Sequence, residues 1–279
     1  MVDGRSRAAD RPPAGFKTVL DRNVRVNLGH LKAGRPGALN WLARDGEDWV
    51  IRSFAGTLRI ASLHRERKYR QGVAQRLEAC AAAYGYGQVV RARPGDVVID
   101  VGANIGEFAL RCLRDGATVH ALEADPAVYP KLQRNLERID RAITYPVAVW
   151  RESGRQVFYS SPAGADSSFV EPKRYDATLE VDAVTLDDFC NESKIGPVSL
   201  IKCDAEGAEP EVLEGAAHVL TRTRYALFNC GPERRGETTV DAVSDVFRAR
   251  GFTVRILDGY RPATVVFATN QSPPGTREP

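Results

Sequence analysis

The chain has 279 residues, 43% of them hydrophobic and 27% charged, a globular composition that excludes wholesale disorder and allows a large core without disulfide or metal staples. No apolar run reaches the roughly 18 residues of a membrane-spanning helix, and the polar first 16 residues lack the apolar stretch of a secretory signal, so a cytoplasmic location is expected. Five cysteines without a CxxC pair argue against a zinc ribbon or disulfide framework, and the net charge of +3 conceals +10 over residues 1–93 and −7 over 94–279.

In chain order, residues 1–15 and 270–279, with their proline, glycine and charge, read as tails. From 15 to about 40 the apolar spacing matches neither helix nor strand. Residues 48–63 alternate as a hairpin turning near Gly56. The run Arg65-Glu66-Arg67-Lys68-Tyr69-Arg70 opens a helix predicted to reach Tyr84, as a solvated face or a surface for an anionic partner. Pro94-Gly95-Asp96 marks a boundary. Beyond it strand and helix alternate: strands at 97–101, 118–123, 143–149, 198–203 and 225–230, helices at 105–114, 126–138, 208–220 and 239–250. Residues 156–160 and 179–184 read as an inserted pair, and 252–257 with 263–268 as a closing hairpin. The alternation predicts an α/β fold, an open, mostly parallel sheet with helices on both faces that binds its ligand beyond the carboxyl ends of the strands.

Three segments carry chemistry. The first is Asp100-Val101-Gly102-Ala103-Asn104-Ile105-Gly106, a buried strand entering a glycine turn. Gly102 frees the backbone where a side chain would meet a ligand, and Gly106 lets the helix pack closely. A dinucleotide fingerprint starting at Gly102 would need glycine at 104 and 107, which are Asn104 and Glu107, and no P-loop Gly-Lys-Ser/Thr is present. The loop therefore suits a nucleoside ligand without a pyrophosphate, of which S-adenosylmethionine is the common one. The second is Glu123, 23 positions beyond Asp100 at the end of the next strand, where an acid can accept ribose hydroxyls. Asp125 is expected to cap the following helix. The third is Lys202-Cys203-Asp204-Ala205-Glu206-Gly207-Ala208-Glu209, an apolar strand entering an acidic turn. Glu209 and Glu211 suit the dipole of the first helical turn, whereas Asp204 and Glu206 precede it and are candidate reactive groups.

The combination of DVGANIG, the acid after the second strand, VTLDDF at 184–189, and IKCDAEGAE followed by EVLEGA resembles the FkbM-type methyltransferases. The resemblance covers residues 94–257 and implies a Rossmann-like class I fold with a mostly parallel seven-stranded sheet, methylating hydroxyls of sugars, polyketides and other natural products. It implies that Asp100, Gly102, Asn104, Gly106 and Ala148 line the cofactor, that Glu123 holds its ribose, and that Asp204 and Glu206 lie beside the transferable methyl group. Ser168 and Asn229 join the acceptor side. Residues 1–93 become a basic, substrate-shaping α+β segment, 94–269 the methyltransferase domain and 270–279 a tail. One departure is Asn229, where such enzymes carry Glu before a Cys-Gly-Pro-Glu-Arg-like stretch; an amide is no general base and a poorer metal ligand.

Methyl transfer to a hydroxyl requires loss of its proton, to Asp204 or Glu206 as general base. The alternative is a divalent cation held by both; it is the less favoured route, as no third protein ligand is evident. The basic first 93 residues suit an anionic acceptor. They alone support a nucleic-acid methyltransferase, which three carboxylates at the reaction mouth oppose. A catalytically silent cofactor-binding scaffold is the remaining alternative, kept open by Asn229. The oligomeric state and the acceptor's identity are not encoded legibly.

Overall fold

The computed structural model describes residues 16–54, 56–161, 167–172, 175–258 and 264–271, so most of both expected tails lies outside the described residues. Helix α1 (Phe16–Lys32) occupies the stretch whose spacing predicted nothing. Its docking explains why: Leu20, Val24, Leu28 and Leu31 are about half exposed, whereas Arg22 and His30 are buried. Arg22 pairs with Glu66 at 3.0 Å and donates to Asn40 Oδ1 at 2.8 Å, and Asn23 exchanges two hydrogen bonds with the Leu42 backbone. A helix held by polar contacts has no apolar stripe aimed at the core.

Strands β1 (Asn40–Asp45), β2 (Asp48–Ser53) and β3 (Gly56–Ile60) form an antiparallel sheet in that order. The β2–β3 hairpin matches expectation; β1 is an addition. The predicted helix 65–84 divides into a 3-10 helix, Leu63–Tyr69, and α2 (Val73–Ala83). Gly72 lies between them with φ of 101°, a left-handed conformation that no right-handed helix passes through.

The remainder comprises β4 (Val97–Val101), α3 (Glu107–Arg114), β5 (Thr118–Leu122), α4 (Tyr129–Leu136), β6 (Ala142–Tyr145), β7 (Ala148–Val149), β8 (Gly154–Ser160) and β9 (Ala177–Val184), followed by α5 (Leu186–Glu192), β10 (Val198–Cys203), α6 (Glu209–Glu214) and α7 (Ala217–Thr221), and finally β11 (Thr223–Cys230), α8 (Val240–Ala249), β12 (Phe252–Asp258) and β13 (Thr264–Asn270). The main sheet has seven strands in the order β12-β13-β11-β10-β4-β5-β6, all parallel except β13. Chain direction across the sheet reverses between β4 and β10, which places the ligand crevice beyond their carboxyl ends.

Three boundaries depart from expectation. The strand at 143–149 is two strands: β6 completes the main sheet, and β7 crosses to pair with β9 beside β8. Pro146 lies between them and has no amide hydrogen to continue a ladder. The helix at 208–220 is broken at Gly215, where a Cβ would stand 2.6 Å from the Trp150 carbonyl oxygen. The motif VTLDDF contains the start of α5, capped by Thr185, whose hydroxyl accepts the Asp188 N–H at 2.9 Å.

Alternating side chains of the central strands feed two cores. Ile99, Ile201 and Phe228 pack with α5 to α8 on one face; Val98, Leu200 and Leu227 pack with α2, α3 and α4 on the other. The second face also receives Asp100 and Lys202, which are register partners on β4 and β10.

Candidate active site

A cavity of about 420 Å³ opens at the carboxyl ends of β4 and β10. One side of it is walled by Asn104, Leu122, Glu123, Ala148, Val149 and Phe158. Glu123 is 8% exposed, and each of its oxygens accepts one backbone N–H, from Asn104 at 2.8 Å and from Asp125 at 2.9 Å. Burial pushes its carboxyl up to about 7 despite those two donors. Asn104 sits at φ of 51°, and its own Oδ1 accepts the Ile105 N–H at 2.9 Å. Asparagine tolerates this left-handed position because its short amide bonds locally. Asp125 does not cap α4, which starts at Tyr129 after Val128; its carboxylate accepts the Ala127 N–H at 2.8 Å in the turn before the helix.

The glycines of the turn need a different explanation from a ligand's approach. A Cβ on Gly102 would lie 2.1 Å from the carbonyl oxygen of Asp204, and one on Gly106 would lie 2.9 Å from Leu132 of α4. Gly102 lines the cavity, but its small size is dictated by the neighbouring loop. Gly106 and Asp100 do not line it. Asp100 is fully buried beneath the floor, 3.0 Å from the Lys202 ammonium, so its place is structural rather than on the cofactor wall. Lys202 also donates to the carbonyls of Val101 at 3.2 Å and Gly102 at 2.9 Å, tying the end of β4 in place. Burial opposes its charge, but Asp100 and Asp204 outweigh burial and hold its pKa above the ordinary lysine value.

The other half is acidic. Asp204 accepts the Tyr84 hydroxyl at 2.5 Å on one oxygen and the Asn229 amide at 2.9 Å on the other. Only the NH2 of Asn229 can donate, so its Oδ1 faces away from Asp204; it is buried with no hydrogen-bond partner among the described residues. Glu206 lines the cavity at φ of 50°, an unfavourable position for a non-glycine residue. Three clamps hold its loop. Glu209, fully buried, accepts the N–H groups of Ala205 and Gly207 and the Thr239 hydroxyl. Ser168 donates to the carbonyls of Ala205 and Glu206 at 3.2 and 2.9 Å. Arg234 donates to the Gly207 carbonyl at 2.6 Å and pairs with Glu211. Glu209 and Glu211 thus do more than suit a helix dipole, and the hydroxyl of Ser168 is engaged in shaping the acidic loop.

Asn104, Gly102, Glu123, Ala148, Ser168, Asp204, Glu206 and Asn229 therefore share one cavity. Sequence reasoning missed Tyr84, Lys202 and Glu233, and the part that Glu209 plays in holding the acidic loop. Lys202 carried a usable signal, as a lone charge within an apolar strand; Glu233 stood in the Cys-Gly-Pro-Glu-Arg-like stretch without being singled out, and Tyr84, which also lines the cavity, carried no signal. On the same cavity wall, Arg76 grips Glu107 with two 2.7 Å hydrogen bonds, and Tyr69 donates to the same carboxylate at 2.5 Å.

The strand order and the cavity at its switch point define a Rossmann-like class I methyltransferase fold. Residues 100–254 match the methyltransferase FkbM domain, and the chain belongs to that family. It is 31% identical over 151 residues to the 2-O-methyltransferase NoeI of Sinorhizobium fredii, covering 48% of this chain and 62% of that one. It is 27% identical over 137 residues to the hexuronic acid methyltransferase AglP of Haloferax volcanii, covering 49% and 56%, and 30% identical over 160 residues to the 31-O-demethyl-FK506 methyltransferase FkbM of Streptomyces tacrolimicus, covering 45% and 61%. The chain thus spans about three-fifths of the length of these curated relatives. Among the described residues no helix is long and apolar enough to cross a membrane.

Proposed function

We propose that this protein is an S-adenosylmethionine-dependent O-methyltransferase whose acceptor is a hydroxyl of a sugar or another natural product. The observation that carries the reading is one cavity that joins the wall around Glu123 to a carboxylate, Asp204, fixed from two sides. The residues present fit the cofactor: Glu123 would hold the ribose hydroxyls, and Leu122, Ala148, Val149 and Phe158 the adenine. When bound, S-adenosylmethionine supplies an electrophilic methyl group.

The chain's own groups deal with the acceptor's proton. Asp204 is oriented by Tyr84 and Asn229, each of which leaves its oxygen a further lone pair. We assign to it the hydroxyl proton, with Glu206 as the second negative charge beside the reacting centre and Asn229 Oδ1 as a neutral acceptor for a sugar hydroxyl. Among the described residues no group of three or more His, Cys, Asp or Glu side chains is placed to hold a metal ion. The names of the relatives, a 2-O-methyltransferase and a hexuronic acid methyltransferase among them, support a sugar acceptor.

The test is methyl transfer from S-adenosylmethionine carrying a labelled methyl group to a panel of oligosaccharides and glycosides. The reading expects label in a base-stable methyl ether, abolished by Asp204→Asn. Label appearing only in nucleic acid, or tight cofactor binding without transfer to any acceptor, would favour the nucleic-acid or scaffold alternative.

A further inference from the structure

On one part of the cavity wall three basic side chains surround a single carboxylate. Arg65, Lys68, Arg76 and Glu107 all line the cavity, and Glu107 is consumed by its two-pronged pairing with Arg76. Arg65 and Lys68 feel that carboxylate only through space. Among the described residues neither side chain has a hydrogen-bond or ion-pair partner, and Arg65 Nη1 is buried in that state. Both residues belong to the 3-10 helix Leu63–Tyr69, in which positions three apart eclipse one another, so the two cations rise side by side from one face. Tyr69, next in the chain, is anchored to Glu107 and fixes the helix against α3. Partial burial, then Arg65 and Arg76, lower the pKa of the Lys68 ammonium. An oxyanion between the two cations would relieve both the repulsion and the unpaired nitrogen, whereas a neutral acceptor would satisfy the nitrogen and leave the repulsion.

The geometry points to a subsite in which Arg65 and Lys68 together bind an oxyanion, a carboxylate or phosphate group, presented to the cavity by the molecule that occupies it. The inference deepens the methyltransferase reading and rests on it for the identity of that molecule. Two sources share the chemistry: the methionine carboxylate of the cofactor and an acidic group on the acceptor.

Calorimetry on the full chain separates them, using the native protein, Arg65→Met/Lys68→Met, and the charge-preserving Arg65→Lys/Lys68→Arg. The probes are S-adenosylhomocysteine, methylthioadenosine (a related thioether with no carboxylate), and inorganic phosphate added to protein saturated with methylthioadenosine. Phosphate should bind the native chain and the charge-preserving variant and be weakened about tenfold or more in the Met variant, the scale of a lost charged hydrogen bond. Methylthioadenosine should bind all three alike, showing that the fold and the nucleoside wall are intact. If S-adenosylhomocysteine weakens with phosphate, the oxyanion is the cofactor's carboxylate; if it is unchanged, the oxyanion belongs to the acceptor. Phosphate that fails to bind the native chain, together with unchanged S-adenosylhomocysteine affinity in the Met variant, would overturn the subsite, as would phosphate binding the native and Met proteins equally. If neither thioether binds the native chain, the methyltransferase reading fails, and phosphate titrated into the free proteins then judges the subsite by itself.

Discussion

Glu123 changes charge across neutral pH, because burial has raised its carboxyl to about 7. Ribose hydroxyls donate best to the ionised form, so S-adenosylhomocysteine should bind more weakly as pH falls below 7, by up to about tenfold per unit. Glu123→Gln should flatten that dependence, and Glu123→Ala should cost about 1–3 kcal/mol of affinity. Titrations between pH 5.5 and 8 check both; affinity independent of pH would remove Glu123 from the ribose. Asn229 is the second informative residue. Its amide donates to Asp204 at 2.9 Å, so Asn229→Glu would replace a donor by a second carboxylate at hydrogen-bonding range. Repulsion would then keep one of the two protonated near neutrality. We expect slower turnover at neutral pH, partial recovery at higher pH and unchanged cofactor affinity; a faster enzyme at neutral pH would restore the idea of a missing base. Asp204, Glu206, Asn104 and Glu123 were legible in the sequence because each follows an apolar strand directly. Tyr84 was not: it lies 120 positions from the carboxylate it touches, in a stretch with no motif.

At the scale of elements, the acidic loop is a strained segment held by its surroundings. Glu206 keeps its left-handed backbone because Glu209, Ser168 and Arg234 bind the peptide groups on either side of it. Glu209→Ala would strip the Ala205 and Gly207 N–H groups of their acceptor, at about 1–3 kcal/mol per buried group. It should lower the thermal midpoint and turnover together, whereas Ser168→Ala should affect turnover more than stability. Loss of neither in Glu209→Ala would show that the loop holds itself. The split of 143–149 and the break at Gly215 were hidden from sequence reasoning because both depend on a partner from elsewhere, β9 in one case and the Trp150 carbonyl in the other. Helix α1 was hidden for the opposite reason, since its buried contacts are polar. The parallel strands were plain because strands buried on both faces read as short apolar runs.

For the whole molecule, the charge asymmetry resolves into two parts. Some of the basic excess before residue 94 pairs with acids of the later chain, as Arg76 does with Glu107 and Arg91 with Asp115; Arg65 and Lys68 are left facing the cavity. The boundary expected at 93/94 runs through a continuous core, because Cys80, Ala81, Tyr84 and Tyr86 pack in one cluster with Val98 and Phe108. Truncation near residue 82 would therefore open that core, and point changes are the sharper test of the segment's role. Burial also gives the folded chain a pH signature. Glu123 and Glu209 both stand at about 7 against an ordinary 4.5, so the folded state holds protons that the unfolded state releases. Their contribution to stability is full below about 4.5 and is lost as pH rises through 7, at up to about 1.4 kcal/mol per pH unit for each group. The thermal midpoint should fall between pH 5 and 7.5 and fall less in Glu209→Gln; an equal fall in both proteins would assign the effect to other groups.

The central claim is that the cavity beyond β4 and β10 is a site for S-adenosylmethionine rather than for a dinucleotide. Calorimetric titration of the native chain with S-adenosylhomocysteine and with NAD, repeated on Glu123→Ala, tests it most directly. The native chain should bind one molecule of S-adenosylhomocysteine, far more tightly than NAD, and lose affinity clearly on removal of Glu123. NAD binding as tightly as S-adenosylhomocysteine, or S-adenosylhomocysteine binding equally well without Glu123, would contradict it.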